Sequence, residues 1–82
     1  MISCSQYDYL EIACLYHFPV KLTLLDGQEL SGIACDTGYN ALKQECLIVE
    51  VEGSREYVVT DNLKSLQVTL DNPHFSFVEL KQ

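Results

Sequence analysis

The sequence predicts a mainly β protein with one N-terminal helix, a small barrel or sandwich of five to six antiparallel strands. Three observations carry this expectation. Residues 5–17 (SQYDYLEIACLYH) hold the one clear helical pattern. Behind them, short β-favouring runs recur at regular spacing, separated by Gly, Asn, Asp and Pro. With 82 residues, 48% hydrophobic and 21% charged, the chain is ordinary globular material for one domain spanning residues 1–82, without repeat or linker.

The elements follow in order. Ser5 and Asp8 have the spacing of a capping box, and Pro19 restricts Phe18 to extended backbone, so the helix is expected to stop near His17. At about 100° per residue, Asp8, Glu11 and Leu15 share one arc bordered by Tyr7. Ile12, Tyr16, Tyr9 and Ala13 point the other way, and Leu10, Cys14 and His17 fill the remaining side. A helix this apolar all round needs cover on more than one side. Residues 19–25 alternate as a strand, and Asp26-Gly27 is the signal for a two-residue type I′ hairpin turn. Residues 28–36 return as a second strand, in which Gly32 predicts a bend or bulge. Residues 37–44 read as a loop. The apolar run 46–51 predicts a central third strand, Gly53-Ser54 a turn, and 55–60 a fourth strand. Residues 61–64 form a connector with a turn of 3₁₀ helix. Residues 65–70 are a fifth strand, Asp71-Asn72-Pro73 a turn, and 75–80 a sixth strand at an edge.

Charge narrows the function. Twelve acids stand against five bases, a net charge of −7 with pI ≈ 4.4. Proteins that grip phosphates displace counterions with Lys and Arg, so direct nucleic-acid binding is disfavoured and a basic partner is favoured. Cys4, Cys14, Cys35 and Cys46 show no paired spacing, and Met1-Ile2-Ser3-Cys4 lacks the basic and apolar regions of a secretion signal. Reduced thiols in the cytoplasm are expected. No apolar run approaches the roughly 18 residues of a membrane span.

Candidates for chemistry are thin. Cys14 and His17 at i, i+3 offer two ligands where a structural zinc needs four, and no base and orienting group accompany a cysteine nucleophile. Carboxylate pairs (Asp8 and Glu11, or Glu50 and Glu52) have the spacing of solvated faces. No metal, no cofactor and no enzymatic activity are expected. Aromatic residues without accompanying bases invert the pattern of a single-strand RNA binder. Tyrosines interleaved with acids instead suit a site on another protein that accepts phosphates and stacked bases. Two acidic regions qualify: Tyr7, Asp8 and Glu11 on the helix, and Glu45, Glu50, Glu52, Glu56 and Asp61, offset by Arg55, on the third and fourth strands.

On Cys4, Tyr7-Asp8, Leu10-Glu11-Ile12-Ala13-Cys14, His17, Leu22-Thr23-Leu24, Asp26-Gly27, Glu45, Leu47-Ile48-Val49-Glu50, Gly53, Arg55-Glu56, Asp61 and Ser65, the chain resembles the Rho-binding antiterminators, the Rof or YaeO family of gamma-proteobacteria. The resemblance covers roughly residues 4–66. It departs at Ser5 and Gln6, where the family is more acidic, and at Tyr9, which replaces a polar residue. It implies an Sm-like barrel with an N-terminal helix, acting as a monomer. The implied partner is the transcription termination factor Rho, bound on its N-terminal OB-fold domain at the primary site for C-rich single-stranded RNA, so that termination is inhibited. The residues assigned to that contact are Tyr7, Asp8 and Glu11, with Glu45 and Glu50. The alternative is an Sm-like module that binds single-stranded RNA itself.

Overall fold

The computed structural model describes residues 4–80. Helix α1 (Cys4–Leu15) precedes strands β1 (Pro19–Leu24), β2 (Glu29–Tyr39), β3 (Glu45–Val51), β4 (Ser54–Val59), β5 (Leu63–Val68) and β6 (Phe77–Glu79), with a 3₁₀ turn (Thr60–Asn62) between β4 and β5. All six strands form one antiparallel sheet in the order β4-β3-β2-β1-β5-β6. The mainly β, one-helix, six-stranded expectation holds. The sheet is open: edge strands β4 and β6 are not hydrogen-bonded to each other. β3, expected to be central, is second from an edge, and β1 and β2 hold the middle.

The connection from β4 to β5 forces the sheet to curl. A flat sheet would separate these strands by four spacings, about 19 Å. The three residues between Val59 and Leu63 reach about 14 Å when fully extended. The edges must therefore bend toward each other around the core. Leu10, Ala13 and Cys14 of α1 enter that core beside Val20 and Leu22 of β1, Ala34 of β2, Leu47 and Val49 of β3, Val58 of β4, Leu63 and Leu66 of β5, and Leu80.

The helix stops earlier than the proline rule predicts, and for another reason. His17 takes φ 50°, its N–H donates to the Cys14 carbonyl at 3.1 Å, and the Phe18 N–H donates to Ala13 at 3.0 Å. These two bonds form a Schellman cap, which usually carries glycine at the left-handed position. Histidine is used here because its ring has a second task. The Phe18 amide, turned back into the helix, cannot reach Ala34, whose own N–H donates to the Phe18 carbonyl. His17 Nδ1 donates to the Ala34 carbonyl in its place, at 3.2 Å. Helix α1 includes Cys4, so Ser5 lies within the helix and not at an N-cap; the side-chain bonds of the expected Ser5–Asp8 capping box lie outside the described residues.

Three details of the sheet differ from expectation. The β1–β2 hairpin closes through three residues, not two: Gly27 N–H donates to Leu24 O at 3.0 Å and Leu24 N–H to Gln28 O at 2.8 Å. Only Gly27 has positive φ, which makes this a type I turn followed by a glycine bulge. The Leu25 N–H is held by Asn62 O at 2.8 Å. The type I′ turn appears instead at Glu52-Gly53, with φ 51° and 83° between the paired residues Val51 and Ser54. The β2 irregularity falls between Ala34 and Asp36, at Cys35, and not at Gly32. Gly32 answers a different need, since a Cβ there would lie 2.5 Å from the Glu50 carbonyl oxygen. Finally, β2 runs on through Thr37-Gly38-Tyr39, residues whose Gly and Asn neighbours read as a loop.

Candidate partner-binding face

Asp8, Glu11, Ile12 and Leu15 are spaced i, i+3, i+4 and i+7, so they form one ridge along α1. They line a shallow depression on the outside of the molecule. Both carboxylates are exposed, and Leu15 is 71% exposed. Ile12, expected on the opposite side, belongs to this ridge and also packs its inner edge on the core. Residues 1–20 contain no Lys or Arg, so α1 has no cation of its own to neutralise the ridge.

Tyr7 sits where the ridge meets the sheet. Its half-buried ring packs on the core and its phenol lies beside the Thr37 side chain. Partial burial raises the phenol above its ordinary 10.0, the charges of Glu45 and Glu11 and the Tyr39 ring push the same way, and the Thr37 side chain opposes them. The hydroxyl therefore stays neutral, and able to donate, throughout the physiological range. Glu45 opens β3 opposite Tyr39, and its carbonyl accepts the Thr60 hydroxyl at 3.3 Å.

The structure thus brings Tyr7, Asp8, Glu11 and Glu45 to one side and leaves Glu50 elsewhere. Glu50 lies five residues farther along β3, about 17 Å, and an odd separation puts it on the other face of the strand. It stands between Ile33 of β2 and Arg55 of β4. Two residues near the helix were missed in the sequence. Asp36 is close enough to raise the Cys14 thiol, and Tyr39 lies near Tyr7. The β-favouring pair Thr37 and Tyr39 was the available signal that the strand continues.

Burial pushes the Cys14 thiol up to about 12, with Asp36, Cys35 and Glu11 adding to it, which disfavours the thiolate that nucleophiles and metal ligands require. The His17 ring is turned to Ala34. Among the described residues no three His, Cys, Asp or Glu side chains are placed to hold a metal ion, and no helix is long and apolar enough to cross a membrane.

Comparison with known proteins now decides the family. The sequence model described as "Modulator of Rho-dependent transcription termination (ROF)" matches residues 1–80. The chain belongs to the Rof family. The match includes β6, which the residue-level resemblance had left out. Similar Rof proteins are "Protein rof" of Escherichia coli (strain K12) and of Shigella flexneri, each 36% identical over 64 residues, spanning 78% of this chain and 75% of theirs. Among solved structures, "YaeO bound to Magnesium from Vibrio cholerae O395" has 44% identity and a TM-score of 0.88, covering 92% of this chain and 97% of that one. Members of the Rof family are modulators of Rho-dependent transcription termination.

Proposed function

We propose that the chain inhibits Rho-dependent termination in the cytoplasm by occupying, as a monomer, the primary RNA site on Rho's N-terminal OB-fold domain. The observation that carries this reading is the exposed ridge of Asp8 and Glu11, on a helix without Lys or Arg, beside the half-buried phenol of Tyr7. Sites for single-stranded RNA combine cations for phosphates with aromatic platforms for bases. Asp8 and Glu11, with Glu45 flanking, present negative charge in the manner of phosphates. Tyr7 offers a ring for stacking and a hydroxyl that donates. Membership of a family of modulators of Rho-dependent termination supports Rho as the partner. Glu50, on the far face of β3, is at most peripheral to this contact.

The test is fluorescence anisotropy with purified Rho N-terminal domain, with and without oligo(dC). Saturable binding that oligo(dC) displaces competitively is the expected result. Binding that persists unchanged under saturating oligo(dC) would overturn occupation of the RNA site. Measurable affinity of the chain for single-stranded RNA at moderate salt would instead support an RNA-binding module.

A further inference from the structure

The C-terminal segment, residues 72–80, is built against a flank of α1, between the ridge and the side packed on the core. Asn72 organises its start with a full set of four hydrogen bonds. Its Nδ2 donates to the carbonyls of Leu70 (2.9 Å) and Phe75 (3.0 Å), and its Oδ1 accepts the amides of His74 (2.9 Å) and Phe75 (3.1 Å). This knot projects two rings onto the helix. The Phe75 ring meets Tyr9 edge-on at 5.0 Å, and His74 stacks on Tyr16 at 4.6 Å. Tyr16 in turn stacks on Phe18 at 5.4 Å. Farther along, Gln6 Nε2 donates to the Glu79 carbonyl at 3.1 Å, while Leu80 is buried in the core and its N–H donates to Lys64 O at 2.9 Å.

The contacts reach α1 near its first turn, at its middle and just past its end, and every one lies off the Asp8–Glu11–Leu15 ridge. The sheet, by contrast, holds α1 through the side carrying Leu10, Ala13 and Cys14. Tyr7 and Ile12 pack at the margins of that side, and contacts on a further flank reduce the freedom to roll that a helix held on its core side alone retains.

We propose that residues 72–80 form a clasp that fixes the roll of α1, so that Tyr7, Asp8 and Glu11 are presented to the partner already in their binding orientation. Asn72, His74 and Phe75 are positioning residues, since none of them lies on the ridge. The inference rests on the α1 ridge being the partner-binding face, as proposed above. Its energetic basis is preorganisation: apparent affinity falls in proportion to the fraction of molecules in the competent orientation.

The experiment measures binding of the full chain to Rho N-terminal domain for wild type, Asn72→Asp, Phe75→Ala, Phe75→Tyr and Asp8→Ala, with hydrogen exchange across α1 and circular dichroism on each. Asn72→Asp keeps the shape of the side chain and removes both donors of the knot, so it tests the clasp even if Phe75→Ala folds poorly. The expected result for Asn72→Asp and Phe75→Ala is a chain that stays folded, with faster exchange confined to α1. Affinity should fall about tenfold, as when the competent orientation drops to roughly one molecule in ten. For Phe75→Ala, which adds no charge, the salt dependence of binding should be unchanged, because the contacting charges are all present; Asp8→Ala should make it shallower. Phe75→Tyr, which keeps the edge-on ring, should bind like wild type. If Asp8→Ala weakens binding while neither clasp variant does, the clasp is overturned and the face stands. If Asp8→Ala also leaves affinity unchanged, both fall.

Discussion

Two acidic regions of this small protein look equivalent in the sequence and differ in the fold. On α1, Asp8 and Glu11 flank an apolar depression and a half-buried phenol, with no Lys or Arg in the first 20 residues. On the β3–β4 hairpin, Glu50 faces Arg55 across the strands, and Glu52 sits in the turn beside Gly53. One of the hairpin charges, Glu50, has a cation opposite. Charge count alone does not distinguish a binding face from a solvated one. What distinguishes them here is the cation: Arg55 stands opposite Glu50, whereas α1 carries no Lys or Arg.

The widest separation between the two regions should come from Tyr7→Ala. A buried aromatic anchor commonly contributes about 2 kcal/mol or more at an interface, so affinity for the Rho N-terminal domain should drop roughly 30-fold. Next, Glu11→Lys should cost about tenfold in the same assay, since it replaces an attractive charge by a repulsive one. Glu50→Lys should change affinity less than about twofold, as expected for an exposed charge outside the contact. Equal losses for the two reversals would erase the distinction.

Stability should divide along the same boundary. His17→Ala loses the ring that satisfies the Ala34 carbonyl, so urea denaturation should show about 1–2 kcal/mol of destabilisation. Gly53→Ala strains the Glu52-Gly53 turn at φ 83° and should cost about 1 kcal/mol. Because it touches only the hairpin, Rho affinity should be retained. The smallest effect is a pH dependence. Tyr7 ionises at higher pH in the folded chain than in the unfolded one. The folded state therefore keeps a proton that the unfolded state loses above about pH 10, and stability declines as pH rises through that region. The urea midpoint of Tyr7→Phe should fall less steeply there than that of wild type.

Local patterns were legible where local physics decides them. The helix, the alternating strands, the 3₁₀ connector and the edge position of β6 follow from spacing and turn residues. The exposure of Asp8 and Glu11 likewise follows from their arc on the helix. What was not legible depends on partners distant in sequence. The Asp26-Gly27 turn opened to three residues, with the Leu25 amide held by Asn62, 37 positions away. The register shift at Cys35 is a property of pairing with β3 and leaves no mark in composition. Tyr7 could be assigned to the helix but not to its place beside Thr37 and Glu45, because those residues arrive from β2 and β3. The end of α1 was misplaced by two residues since histidine is an uncommon choice for a left-handed cap.

The role of His17 at Ala34 has one more implication. The imidazole stands in for a rung that the main ladder lacks, where the helix exit interrupts the pairing of β1 with β2. A shortened chain lacking α1 would lose the cap that aims the His17 ring and would uncover a floor of leucine and valine. Such a fragment would be expected to self-associate, so the anionic ridge is not a detachable module that can be grafted or trimmed apart from its sheet.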